Sequence, residues 1–479
     1  MTNVVIINLP KMLGHYLPAA PALLKGACNF LNVSSQVLDF NLEFLDACQQ
    51  HHIAIDDSIV GITEDSVADV ELKLIIDELI LSWAKQIRSH NPKVLAVSIF
   101  SYYGRYFAKQ LLLAIDLDCK IVIGGSGIKN SLNDTPQFAI QLKEKNLITD
   151  YIVDDGETAF PKLLAKYLNC NYDANRQSLG LAYFPDYQDY NVQKYQSYTK
   201  KQIYVPVTGS RGCVRQCNFC EIPQHWRFQQ RSADHIVKEL QLILDIIDNP
   251  HFHFTDSLVN GSLSEFNSLL DLLVELKKKY NFSWGGQFII RSPEQFNETY
   301  WKKLGLSNAQ GLEIGVETGS EELRYRMDKP FTNTSLDFSM QMMEKYSITC
   351  VLLFFVGYPL ETDKDFDATL QLLEKYKDNT VIESVQLGYA MAVMPGTPLN
   401  DEKRNYGLTV TKNPTIWLTT QNPTLTFNKR LERRRQASTV ARALGYRLAF
   451  DNDLAIKEME HNLKTFHNEI KIIEKVVKA

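Results

Sequence analysis

Cys213-Val214-Arg215-Gln216-Cys217-Asn218-Phe219-Cys220 carries three cysteines in a C-x3-C-x2-C spacing. Three thiolates on one short loop can ligate three irons of a cubane four-iron, four-sulfur cluster. The fourth iron then lacks a protein ligand and can take a small molecule. A structural zinc site is the other use of such a loop. Zinc normally takes four ligands in C-x2-C or C-x2-C/H-x-H pairs. Here the nearest histidine is His225 and no second pair follows. The spacing therefore points to the cluster.

Outward from the loop, strand and helix signals alternate. Residues 203–208 read as a strand that runs into the cysteines. Residues 232–248 read as a helix, with Ile236, Leu240, Ile243 and Ile247 on one face. Strands are expected at 251–255, 283–290, 311–316, 349–356 and 384–393, with a helix at 262–280. Ser292-Pro293 reads as a cap with proline at the first helical position. Six strand-helix repeats predict a parallel sheet in a partial (β/α)6 barrel.

The cysteine loop and the segments behind it resemble the radical S-adenosylmethionine (SAM) superfamily. Ile314-Gly315-Val316-Glu317-Thr318-Gly319-Ser320 resembles the "GxExGS" segment, Val356 to Thr362 the "GxPxET" turn, and Met394 to Pro398 the "PGTP" end. The "GGEP" segment is replaced by Phe254-Thr255-Asp256-Ser257. The resemblance implies that Cys213, Cys217 and Cys220 hold a 4Fe-4S cluster and that SAM is cleaved to a 5′-deoxyadenosyl radical. It implies that Phe219 lies near the adenine, that Glu317 contacts SAM, and that Asp256 or Ser257 holds its ammonium. Arg291 is a candidate for the SAM carboxylate, with a surface salt bridge as its other reading.

Residues 1–170 read as a doubly wound, Rossmann-like α/β domain, with strands at 4–8, 35–39, 94–100, 120–123 and 150–153. This resembles the cobalamin-binding domain that precedes many radical SAM barrels. Ser98-Ile99-Phe100 and Gly124-Gly125 echo that domain's "SxL" and "GG" elements. Its "DxHxxG" loop is absent, and His15 is out of frame for an axial cobalt ligand. Cobalamin is therefore not the favoured expectation; a scaffold or docking surface is the other reading.

Composition sets the frame. The chain has 479 residues, which predicts two or three domains. Residues 171–200 read as a linker, 201–399 as the barrel and 400–479 as a helical region. A 45% hydrophobic, 22% charged composition with net charge -5 carries no broad nucleic-acid signature. No apolar run reaches the ~20 residues of a membrane span. No signal peptide is read at the start, and eight cysteines in such a chain predict a reducing cytoplasm. The run Arg430-Leu431-Glu432-Arg433-Arg434-Arg435 reads as a solvated face or as a holder for an acidic leader peptide.

Cys28, Cys48, Cys119 and Cys170 read as packing residues, and Cys350 is the one cysteine after Cys220. A thiol inside a radical SAM barrel can return hydrogen to a carbon radical from the face opposite the abstraction, inverting the centre. On that basis Cys350 is either a hydrogen donor or a core cysteine. The chain then resembles the PoyD-like peptide epimerases. That resemblance implies L-to-D epimerisation in a ribosomal precursor peptide (leader plus core), with flavodoxin or ferredoxin as electron donor. The alternative is a cobalamin-dependent radical SAM methyltransferase. Methylthiotransferases are disfavoured because they need a second cysteine trio.

Overall fold

The computed structural model describes residues 2–10, 14–53, 61–129, 135–153, 155–172, 183–199, 202–225, 227–388, 391–448 and 451–478. The chain forms two compact units: Met1–Pro206 with Lys238–His251, and Val207–Val237 with Phe252–Ala479.

The first unit is built on five strands: β1 (Val4–Asn8), β2 (Ser35–Asp39), β3 (Val94–Ser98), β4 (Lys120–Gly124) and β5 (Asp150–Ile152). They lie in the order β2-β1-β3-β4-β5, and every pairing is parallel. β1 and β3 are buried along their whole length. Their sequences, VVIIN and VLAVS, are accordingly apolar runs rather than alternating ones. Helix Val70–His90 starts where Asp69 accepts the Leu72 amide at 2.9 Å, and its Trp83 stacks on Phe40 at 4.6 Å between ring centres.

Residues 183–199, within the stretch read as a linker, pack into this unit. Tyr195 Oη donates to Asp39 at 2.6 Å, and Asp189 accepts the Val37 amide at 2.8 Å. Lys25 closes the arrangement through an ion pair to Asp189 at 2.7 Å. In the loop after β1, Lys11–Leu13 lie outside the described residues. His15 stands at the end of that loop against Tyr16 and Tyr204, and its carbonyl accepts the Tyr204 amide.

The large sheet has the order β13-β12-β11-β10-β9-β6: β6 (Tyr204–Val207), β9 (His251–Phe254), β10 (Ser283–Phe288), β11 (Leu312–Glu317), β12 (Cys350–Phe354) and β13 (Ile382–Gln386). β10 to β13 pair in parallel, and among the described residues the sheet is open. It is thus the incomplete barrel read from the alternating pattern. Ser292-Pro293 does not start a helix. Ser292 O closes a turn to Gln295 and Phe296, and the helix begins at Glu298 with Asn297 as its cap.

The C-terminal region is helical at Phe427–Ala443, Asp451–Thr465 and His467–Lys478. It also holds an antiparallel pair, β14 (Leu408–Val410) and β15 (Trp417–Thr419), that the sequence reading missed. The arginine run on the first of these helices is mostly buried, which overturns both readings made of it. The Arg430 guanidinium lies 3.8 Å from the centre of a Trp417 ring and donates to the Trp417 carbonyl. Arg433 pairs with buried Glu361 and with Asp363, both at 2.7 Å. Arg434 donates to the Leu387 carbonyl at 2.9 Å. Arg435 alone is solvated, paired with Glu460. Among the described residues no helix is long and apolar enough to cross a membrane.

Candidate active site

The cysteine loop leaves β6 and is bracketed by a short antiparallel ribbon, β7 (Ser210–Arg211) with β8 (Gln229–Gln230). Asp256 fastens the entry, accepting the Gly209 amide at 2.7 Å. Burial pushes the Asp256 carboxyl up to about 6 against these bonds and the charge of Arg231. Asp256 is therefore engaged in holding the loop. Ser257 follows it, half-buried.

Asn218, between the second and third cysteines, is the pin that sequence reading missed. Its amide donates to Met327 O at 3.1 Å and its side chain to Arg326 O at 2.8 Å. Its side-chain oxygen accepts from Tyr358 Oη at 3.1 Å, and its carbonyl accepts the Leu399 amide. Three separate parts of the second unit's chain thus fix one loop residue, which holds the neighbouring thiols in place. The Phe219 ring meets Phe355 edge-on at 5.1 Å, and the Phe355 amide donates to the Glu317 carbonyl.

Cys213, Cys217 and Cys220 are free thiols close enough to bear electrostatically on one another. Burial raises Cys217 and Cys220, while the Lys329 charge pulls both down. Among the described residues, no three His, Cys, Asp or Glu groups converge on a point for a single metal ion. Three thiols on one loop are the donor chemistry that a cubane cluster takes. The side chain of His225 lies outside the described residues.

Glu317 ends β11 facing the cysteines. Its φ of +66° is left-handed, uncommon for a residue with a side chain. Its carboxylate is paired with Lys329, and both are largely buried. Gly315, two residues earlier, leaves room for the pair: a Cβ there would press on the side-chain ends of Lys329 and Glu317. Arg291 is not a surface salt bridge. One end donates to Asn260 O and Gly261 O at 2.8 and 2.7 Å, and its buried Nε has no partner among the described residues. Burial, with the charge of Arg215 nearby, lowers its pKa.

Cys350 does not join this group. It opens β12, at the end of the strand remote from the residues that follow β11 and β12, and pairs with Leu312. Cys350, Leu352 and Phe354 are buried like Leu312, Ile314 and Val316, whereas Glu313, Gly315 and Glu317 alternate onto the other face. Its thiol is fully buried, and burial raises it well above the usual range. The register makes it a core cysteine on the face opposite Glu317, and the hydrogen-donor reading loses its geometric basis.

Residues 207–373 match the model of the radical SAM superfamily. A curated relative, the tRNA-2-methylthio-N(6)-dimethylallyladenosine synthase of Aeromonas salmonicida, is 23% identical over 212 residues, covering 42% of this chain and 43% of that protein. The chain thus spans less than half of that relative's length. Among solved structures, the radical SAM methyltransferase TsrM from Kitasatospora setae, with cobalamin and a [4Fe-4S] cluster bound, aligns with a TM-score of 0.58 at 15% identity over 85% of this chain and 77% of that one. The cobalamin-dependent radical enzyme OxsB, with aqua-cobalamin and SAM bound, aligns with a TM-score of 0.60 at 13% identity over 99% and 72%. Both likenesses are of fold. The three-cysteine loop, the open parallel sheet behind it and the family match together identify residues 207–373 as a radical SAM domain.

Proposed function

We propose that this chain is a cobalamin-dependent radical SAM methyltransferase. One observation carries the proposal: a radical SAM domain shares a chain with a parallel sheet of order β2-β1-β3-β4-β5, and the likeness to cobalamin-bound TsrM and OxsB extends over most of the chain. The first unit's own residues fit a ligand at the sheet's C-terminal edge, where doubly wound sheets bind cofactors. There Phe100 and Tyr102 are exposed after β3, and Ser101 Oγ is buried with no partner among the described residues. His15 is engaged with tyrosines, so the cofactor would be held without a histidine on cobalt.

Cys213, Cys217 and Cys220 would hold the cluster, whose chemistry is one-electron cleavage of SAM; cobalamin would supply the methyl carrier. Glu317 and Arg291 offer a carboxylate and a guanidinium for the polar groups of SAM, and Phe219 an apolar edge. A flavodoxin- or ferredoxin-type donor would supply electrons. Peptide epimerisation rested on Cys350, whose position in the sheet gives it no support. Methylthio transfer lacks its second cysteine trio.

The test is cobalamin retention. Anaerobically prepared full-length protein mixed with hydroxocobalamin and passed through a desalting column should keep about one cobalt per chain. Its reduced, Co(II) form should show no nitrogen splitting from a protein ligand. Protein that emerges free of cobalt would return the first unit to a scaffold role.

A further inference from the structure

Lys329 is not part of any motif singled out in the sequence, yet the fold delivers it to the cysteine loop. The segment 326–329 is bonded directly to Asn218, through Arg326 O at 2.8 Å and Met327 O at 3.1 Å. Lys329 follows two residues after Met327 and is held by its amide on Arg324 O. Its side chain is 14% exposed and its partner Glu317 12%. Two further features serve this pair. Glu317 takes a left-handed backbone conformation, and glycine at 315 leaves the space in which the two side-chain ends meet. A buried ion pair with such demands on its surroundings is weak evidence of a stabilising device, because desolvation offsets much of the attraction.

Position gives the pair another use. Lys329 and Glu317 are one positive and one negative charge that act on Cys217, and Lys329 also acts on Cys220, from a segment bonded to Asn218 between those two cysteines. The reduction potential of a cluster is set by net charge, by hydrogen bonds to its sulfurs and by solvent exposure. We infer that Lys329 is a positioning and tuning residue for the cluster: its buried ammonium, held in place by Glu317, raises the potential at which the cluster accepts its electron. This rests on the assignment of Cys213, Cys217 and Cys220 as cluster ligands. Glu221, which also bears on Cys220, is a constant in every comparison below.

The test is an anaerobic redox titration of the reconstituted full chain without SAM, followed by electron paramagnetic resonance of the reduced cluster. Lys329→Met leaves an uncompensated carboxylate and should shift the midpoint to more negative potential. Glu317→Gln leaves an uncompensated ammonium and should shift it to more positive potential. Lys329→Arg keeps the charge and should stay near wild type. Equal potentials in all four proteins, or the reverse order, overturn the inference while leaving the cluster assignment intact. A wild-type chain that holds no reducible cluster overturns both. If Lys329→Met fails to assemble a cluster, Glu317→Gln decides, and an unshifted potential there overturns the inference.

Discussion

At the residue scale the proposed chemistry rests on three thiols and one ion pair. Cys213→Ala, Cys217→Ala and Cys220→Ala should each lose most of the bound iron and all 5′-deoxyadenosine formation, read by iron assay and product chromatography. A single variant that kept full iron content would remove that cysteine from the ligand set. Glu317→Ala should weaken SAM binding by roughly 1.5–3 kcal/mol, as for a lost hydrogen bond to a charged group, with iron unchanged. Unaltered SAM affinity would confine Glu317 to its pairing with Lys329. Cys350→Ala should lower stability by only about 1 kcal/mol and leave SAM cleavage at the wild-type rate. The cysteine loop stood out in the sequence because its three thiols lie within eight residues, at a spacing that is itself a motif. Lys329 and Asn218 were not, because their roles arise from contacts made across the fold. The direction of Cys350 was not legible either: alternation assigns faces only once a register is known, and that comes from the pairing with Leu312.

Arginines in a run look solvated until their helix is placed, and the helix Phe427–Ala443 shows why at the scale of elements. Its Arg430 covers Trp417, and its Arg433 reaches Glu361 at the head of the helix Asp363–Lys375. Glu361 also accepts the Gly357 amide at 3.0 Å, where φ is +90° and a Cβ would meet Arg430. The "GxPxET" turn is thus a structural knot. Its glutamate is consumed by Arg433, and its threonine, Thr362, caps the following helix in a reciprocal box with Asp365. Arg433→Met leaves a buried carboxylate unpaired and should cost about 3–5 kcal/mol in denaturant unfolding. Burial holds the Glu361 carboxyl at about 7 in the folded chain against an ordinary 4.5. Between those pH values the folded state binds more protons at this site than the unfolded chain, so its contribution makes stability fall as pH rises. Glu361→Gln should flatten the stability profile across that window; an unchanged slope would assign it to other groups. Strand and helix existence was largely readable from periodicity. Boundaries, and the pair β14–β15, were not, because three-residue strands carry too little pattern.

Over the whole molecule, two parallel sheets share one chain. The doubly wound class was implicit in the alternation of apolar strands and amphipathic helices, whereas the order β2-β1-β3-β4-β5 came only with the pairing. What that sheet would bind under the proposal was not implicit, since the histidine signature is missing and the exposed Phe100 and Tyr102 gain meaning only from their place after β3. The most direct measurement of the central claim is the fate of SAM. Anaerobic full-length protein with reconstituted cluster, SAM and dithionite is assayed for S-adenosylhomocysteine and 5′-deoxyadenosine, with and without added cobalamin. The account predicts S-adenosylhomocysteine only when cobalamin is present, because methyl transfer leaves that product. It predicts 5′-deoxyadenosine in both conditions, lost in Cys217→Ala. 5′-Deoxyadenosine alone, regardless of cobalamin, would contradict the methyltransferase account.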